Sequence, residues 1–261
     1  FMQGWAKNNG IPFSRLIPLL DFCAVAIAAD IVPVTEENRI LAFHGLKQLN
    51  QNPNIGLKAI IDICGLNGRE LSMSDIVFKI GPRINASGRM ESGKESVDLL
   101  IEKDYNCALQ KAKHIDEYNE QRKDIDKQMT EEANQIVAKI ESQKHYSSIV
   151  LYDENWKKGV IGIVASRLTE LYFRPTVVLT RDGEFGTGSA RSVTGFDVYA
   201  AIKSCRDLLM NFGGHTYAAG LTLRWADIPL FIKRFQQYVE DHIAPEQTEA
   251  TLHLDAQLDF K

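Results

Sequence analysis

Ser148-Ile-Val-Leu-Tyr152, Gly159-Val-Ile-Gly-Ile-Val-Ala-Ser-Arg-Leu-Thr-Glu-Leu-Tyr172 and Thr176-Val-Val-Leu-Thr180 follow one another in the second half of the chain. The first and third are short β-branched runs. The second opens on glycine and spaces its apolar residues as a helix does. Together they read as a βαβ unit, which sets the second half of the chain as α/β. Downstream, Gly188 to Ser192 reads as a strand end, Phe196 to Asn211 as a helix, Ala219 to Leu223 as a strand and Ile228 to His242 as another helix. Thr251 to Phe260 alternates as a strand would, and is expected to open a further domain.

Upstream the texture is helical. Leu16 to Val34 is apolar and alanine-rich, more helix than strand, with Asp30 and Pro33 ending it. Asn38 to Leu49 and Leu57 to Cys64 read as short amphipathic helices. From Ser96 to Gln143 there is neither proline nor glycine, and Ala108, Ala112, Ile115, Tyr118, Ile125, Met129, Ala133, Ile136 and Ile140 fall on one helical stripe. Asn106 to Gln143 is therefore expected as one helix, roughly 55 Å long at about 1.5 Å per residue. A spacer helix joining two domains is the preferred reading. A coiled-coil dimer competes with it, although Arg122 interrupts the stripe. The expected layout is 1–95, 96–145 (the long helix), 146–244, and 245–261 as the start of a further β domain.

Three segments repeat one chemical theme. Gly81-Pro-Arg-Ile-Asn-Ala-Ser-Gly-Arg89 packs two arginines, an amide and two glycines into a short run. Gly186-Thr-Gly-Ser-Ala-Arg-Ser192 joins glycine, hydroxyl and arginine, and Phe212-Gly-Gly-His-Thr-Tyr-Ala-Ala-Gly220 feeds a glycine pair into a histidine. Arginine offers a planar fork of donors that matches phosphate, and glycine lets a backbone approach an anion closely. A surface turn with solvated arginines is the plainer reading of any one segment, but the recurrence favours phosphate binding. Were Ser189 and Arg191 on a strand, both would lie on one side, which suits a terminal 5′-phosphate.

The 261 residues carry a net charge of −4, with 44% hydrophobic and 25% charged, an ordinary balance that favours two domains and argues against coating nucleic acid through bulk positive charge. Local basic clusters remain: Lys79, Arg83, Arg89 and Lys94 in one stretch, Arg181, Arg191, Lys203 and Arg206 in another. There is no apolar run of 18 residues and no secretory signal, so no membrane role is expected and the expected compartment is the cytoplasm. Cys23, Cys64, Cys107 and Cys205 are too scattered for a zinc site and read as reduced thiols. The chain starts in mid-phrase at Phe1 and reads as a fragment.

Ala29-Asp-Ile-Val-Pro33 with Asn38-Arg39, then Gly81 to Arg89, Gly159 to Arg167, Gly188 to Ser192 and Gly213-Gly-His-Thr-Tyr-Ala-Ala-Gly220 resemble, in order, the motifs of the RecJ family of the DHH phosphoesterase superfamily. The resemblance implies an α/β fold consisting of the helical end of a DHH domain, a long connecting helix and a compact DHH-associated domain. It implies a metal-dependent, single-stranded-DNA-specific 5′ to 3′ exonuclease of DNA repair and recombination. Mn2+ or Mg2+ would serve the complete protein, with none expected in this chain alone, because most ligands come from aspartate and histidine motifs near the family's N-terminus, and this chain is read as containing neither an Asp-X-Asp nor an Asp-His-His. Of that ligand set the resemblance leaves Asp30; read without it, Asp30 is a helix-terminating residue before a turn. It further implies that Arg83, Asn85 and Arg89 at the rim of the catalytic domain, and Ser189, Arg191, Ser192, Gly213 and Gly214 from the second domain, bind single-stranded DNA running between them. His215 would polarise the scissile phosphate or stabilise its transition-state charge, its plainer role being a histidine satisfied in a tight turn. Arg167, placed at its helix end, reads as structural. A monomer, with single-strand-binding protein as a partner, completes the expectation. Two alternatives stand beside it: a DHH-type oligoribonuclease or cyclic-dinucleotide phosphodiesterase, and a non-catalytic nucleic-acid-binding scaffold.

Overall fold

The computed structural model describes residues 2–143, 146–250 and Ala256. The strand expected over Thr251 to Phe260 lies outside the described residues. Two compact units divide the chain, residues 1–123 and 124–261. The boundary falls inside the long helix.

The first unit is helical: α1 (Met2–Asn8), α2 (Leu20–Ala29), α3 (Glu36–Gln51), α4 (Ile55–Ile63), α5 (Met73–Asp75), α6 (Gly81–Met90), α7 (Lys94–Leu100) and the start of α8 (Tyr105–Glu141). Its core gathers Ala24, Ala28, Leu49, Leu57, Ile60, Ile76, Ile80, Leu99, Ala108, Ala112 and Ile115. Gly45 lets α3 lie against α2, since a β-carbon there would stand 2.1 Å from the carbonyl oxygen of Leu20. Asp21 is fully buried at the start of α2, where its carboxylate accepts hydrogen bonds from the Asn54 backbone N–H (2.7 Å), the Asn54 side chain (2.8 Å) and the Phe22 N–H (2.7 Å). This ties α2 to the entry of α4.

Along α8 the stripe begins as the sequence suggests, then departs from it. Through the middle the buried positions are Asn119 and Asp126, 1% and 2% exposed, while Tyr118 and Ile125 are half-buried. The steps Ile115, Asn119, Arg122, Asp126, Met129 alternate four and three, so one helix face runs through polar residues there. Asp126 is held by Arg167 at 2.8 Å and accepts from Thr130 at 3.4 Å.

In the second unit β1 (Ile149–Asp153), α9 (Ile161–Tyr172) and β2 (Thr176–Asp182) form the βαβ unit, with β1 and β2 parallel. β3 (Phe185–Arg191) follows, then α10 (Val198–Lys203), β4 (Leu209–His215), β5 (Ala218–Arg224) and α11 (Ile228–His242). Among the described residues the sheet has five strands in the order β1-β2-β3-β5-β4, antiparallel beyond β2. The helix expected over Phe196 to Asn211 is only the short α10. Leu209 onward turns into β4, and the glycine-histidine segment is strand rather than loop. One face of the sheet packs Val177, Leu179, Ala190, Leu221 and Leu223 against Ile202 of α10 and Phe231 and Phe235 of α11. The other packs Leu151 and Val178 against Met129 and Ala133 of α8 and Val164 and Leu168 of α9.

Burial holds the Asp21 carboxyl above its ordinary value of 3.8, against the opposing pull of its Asn54 hydrogen bonds. Folding thus favours the protonated form. That stability is fully present below the unfolded value and is lost as pH rises through the raised folded one. Asp21→Asn is expected to flatten this part of the stability-versus-pH curve in thermal unfolding, and Asp21→Ala to destabilise by about 2 kcal/mol through the orphaned Asn54 donors.

Candidate nucleic-acid interface

β3 alternates cleanly. Gly186, Gly188 and Ala190 are buried toward α11, while Thr187, Ser189 and Arg191 point to the opposite face and are half-buried. The expectation that Ser189 and Arg191 share one side of a strand therefore holds in the fold. Strand register carries that face across β5 and β4 in three rows: Thr187, Thr222 and Asn211; Ser189, Gly220 and Gly213; Arg191, Ala218 and His215. Gly220, Gly213, Asn211 and His215 are exposed.

Arg191 is aimed by α9. Its Nε donates to Ser166 Oγ at 3.1 Å, and its Nη1 donates to Ser189 Oγ at 2.9 Å and to the Ala190 carbonyl at 2.8 Å. Ser166 Oγ in turn donates to the Gly162 carbonyl at 3.1 Å. A β-carbon at Gly162 would stand 3.0 Å from Ser189 Oγ and 3.1 Å from Arg191 Nη2, so glycine is what lets the first turn of α9 lie this close to β3. Gly162 and Ser166 are the functional residues that sequence reasoning missed. Their four-residue spacing places both on one helix face, but nothing local in the sequence says that this face meets β3.

His215 ends β4. Its Nδ1 accepts the Tyr217 N–H at 3.3 Å, so the neutral ring carries its proton on Nε2. Tyr217 is 53% exposed, and its carbonyl accepts the Ser192 N–H at 3.0 Å. The Ser192 hydroxyl donates to the Phe196 carbonyl at 2.7 Å, which fastens the turn after β3. Gly214 and Gly213 differ in what demands them. Gly214 has φ +149° and would drive a β-carbon to 2.3 Å from the Ala218 carbonyl oxygen, whereas a β-carbon on Gly213 would meet nothing.

In the first unit Gly81 to Arg89 is not a turn but most of α6. Gly81 is a contact glycine: a β-carbon there would stand 3.1 Å from that of Ala29, the residue before Asp30. At about 100° per residue, Arg83 points away from the face shared by Asn85 and Arg89. Arg83 is spent on Asp116 of α8 (2.7 Å) and on the Lys79 carbonyl (2.9 Å), while Asn85 is exposed. Cys64 approaches the Lys79 carbonyl at 3.8 Å, and burial pushes its thiol up, as it does for Cys23 and Cys205, which fits reduced structural cysteines. Arg167 lies in the middle of α9, not at its end, and its structural role comes from Asp126 rather than the helix dipole.

Asp30, at the C-terminal end of α2, is exposed. The sequence does contain one Asp-X-Asp, Asp124-Ile125-Asp126, contrary to the expectation that it contains none. It is on α8 with Asp126 committed to Arg167. Among the described residues no three His, Cys, Asp or Glu side chains are grouped to hold a metal ion. A lone exposed carboxylate does not fit a two-metal centre, which needs several oxygen ligands.

Comparison with known proteins agrees with this geometry. Residues 129–241 match the DHHA1 domain, so the sheet and its helices are a DHHA1 domain. The chain is 37% identical over 230 residues to the single-stranded-DNA-specific exonuclease RecJ of Bacillus subtilis, covering 87% of this chain and 29% of that one. It is 32% identical to Escherichia coli RecJ over 98% of this chain and 46% of that one. Solved structures of Thermus thermophilus RecJ in complex with Mg2+ and with Mn2+ both superpose with a TM-score of 0.80, at 28% and 29% identity, covering 91% and 92% of this chain and 36% and 35% of theirs. The chain is thus similar to RecJ exonucleases over nearly all of its length, and spans less than half the length of the curated relatives it matches. No helix among the described residues is long and apolar enough to cross a membrane.

The adjacent glycines give a direct test of the geometry. Gly214→Ala is expected to cost about 3 kcal/mol in thermal or denaturant unfolding, from its backbone strain and clash. Gly213→Ala should leave stability unchanged or slightly raised, since alanine fits an extended strand better than glycine.

Proposed function

We propose that this chain handles the substrate of a single-stranded-DNA-specific 5′ to 3′ exonuclease, a metal-dependent phosphodiester hydrolase of DNA repair and recombination. The observation that carries this reading is the half-buried Ser189–Arg191 pair, held at the edge of α9 by Ser166 and by the close approach of Gly162. A guanidinium fixed in one orientation beside a hydroxyl matches a terminal 5′-phosphate, whose oxygens accept from both. His215, in the same row as Arg191 but two strands away, would polarise the scissile phosphate or stabilise its transition-state charge. Gly213 and Gly214 keep side chains out of its path, and Ser192 supports the turn beside it. Asn85 and Arg89 share an α6 face that suits contact with the strand backbone, with Arg83 fixing α6 to α8.

A divalent cation, Mn2+ or Mg2+, would supply the water-activating chemistry in the complete protein, and Asp30 would give it only one of the several oxygen ligands it needs. A monomer acting in the cytoplasm, with single-strand-binding protein as a partner, goes with the same reading.

The test is the affinity of the chain for single-stranded DNA bearing a 5′-phosphate or a 5′-hydroxyl, at one salt concentration. A preference of about tenfold, worth about 1.4 kcal/mol, is expected, and Arg191→Ala should abolish it. Equal affinities for the two ends would overturn the terminal-phosphate assignment. The chain alone is expected to show no Mn2+-dependent hydrolysis in a nuclease assay; cleavage that persists in Asp30→Ala would contradict the assignment of that residue.

A further inference from the structure

The sheet face extends beyond the row that holds Arg191 and His215. Thr187, Thr222 and Asn211 form a row across β3, β5 and β4, four residues along β3 from Arg191, or about 13 Å at strand rise. Among the described residues their hydroxyl and amide groups make no side-chain hydrogen bond, although Asn211 is exposed and the threonines are half-buried. Between the two rows lie Gly220 and Gly213, paired directly across β5 and β4. A β-carbon on Gly213 would have no neighbour within 4 Å, and one on Gly220 would meet only the Gly188 carbonyl oxygen at 3.9 Å. Neither glycine has a positive φ.

Glycine in a strand weakens the sheet, because it gives up chain entropy and side-chain packing. Where a strand glycine is demanded by the fold, the demand is visible: Gly188 would press a β-carbon to 2.9 Å from Leu221, and Gly214 to 2.3 Å from a carbonyl. Gly213 and Gly220 show no such demand, so the cost has no structural return. An ordinary solvated sheet face favours a β-branched residue such as threonine there. What the pair creates instead is a floor of bare backbone in a depression of about 300 Å³, lined by Thr187, Asn211, Gly213, Gly220 and Thr222. The larger depression, about 750 Å³ beside Phe43, Lys47, Asn50 and Arg69, offers no comparable set, because Asn50 is bonded to Leu46 and Leu71 and Arg69 to Asp75.

We propose that the Gly220–Gly213 floor and the Thr187, Thr222 and Asn211 row form a second subsite, which holds the sugar–phosphate backbone of single-stranded DNA downstream of its 5′ end. The inference rests on the reading of Arg191 as the terminal-phosphate residue, which sets the direction of the strand. Neutral hydroxyl and amide donors contact phosphate and sugar oxygens without reading sequence, and a floor without side chains lets the backbone lie against the sheet. The two rows divide the labour: one recognises the end, the other adds affinity for whatever follows it.

The experiment measures binding of an oligothymidylate of about twelve nucleotides, with a 5′-phosphate or a 5′-hydroxyl, to the full chain and to Gly220→Val. The variant is expected to lose about tenfold or more in affinity for both oligonucleotides, with a melting temperature at or above that of the unsubstituted chain; because Gly220 lies directly opposite Ser189, retention of the 5′-phosphate preference is read from the Thr222 variant, which lies opposite Thr187. Thr222→Val, of equal shape, should lose affinity in the same even manner by a smaller factor, and Gly220→Ala serves if the valine variant fails to fold. Unchanged affinity in the folded glycine variants would overturn the subsite while leaving the terminal-phosphate reading intact. An even loss of affinity in a chain that shows no 5′-phosphate preference would overturn the terminal-phosphate reading and retain the strand-binding floor. Failure of the unsubstituted chain to bind either oligonucleotide would overturn both.

Discussion

The two-residue pleat of β3 is the constraint on which the site depends. Because successive side chains of a strand point to opposite faces, burying Gly186, Gly188 and Ala190 against the α11 side commits Thr187, Ser189 and Arg191 to the other. A shift of one residue would put a guanidinium into an apolar core, at a cost of several kcal/mol even after partial neutralisation. Register with β5 and β4 then spreads the same division over three strands, so the hydrophobic side of the sheet fixes the polar side. The functional face is positioned by the packing of the face it does not share.

Close approach is the second element, and glycine supplies it for different reasons at different places. Gly45 and Gly81 bring helices of the first unit together, and Gly162 brings α9 onto β3. In each of these a side chain would collide with the protein itself. A β-carbon on Gly213 or Gly220 would collide with nothing, so packing does not demand glycine at either position. The sequence shows all of them alike.

Much of the architecture was legible. The βαβ unit, α11 and the long helix were readable because each combines a strong period with clear ends: β-branched runs for β1 and β2, uninterrupted spacing without glycine or proline for α8. β4 was not, because Leu209-Met-Asn-Phe-Gly-Gly-His has a glycine pair and little β-branching, and its place in the sheet comes from pairing with β5. Likewise Gly81 to Arg89 looked like a loop from its glycines, but tertiary packing on α2 makes it a helix. In the site, the Ser189 and Arg191 pairing followed from strand period alone. The bracing by Gly162 and Ser166 did not, since nothing local in the sequence says which helix crosses behind which strand.

The arginines carry the last lesson, because charge in a sequence is a poor proxy for contact with a polyanion. Of the two basic clusters, Arg83 is paired with Asp116, Lys79 stands 3.4 Å from Asp75, and Arg181 is paired with Glu154. Arg69, Arg167, Arg174, Arg224 and Arg234 each meet a carboxylate as well. A chain of net charge −4 that neutralises its own arginines in this way builds no broad positive field. The proposed contact with a single strand relies on placement instead, on a guanidinium oriented by the Ser166 and Ser189 hydroxyls and on a row of hydroxyl and amide groups beside bare backbone. Fewer phosphates are neutralised by cations in such an interface, so its salt dependence is shallow for the number of contacts it makes.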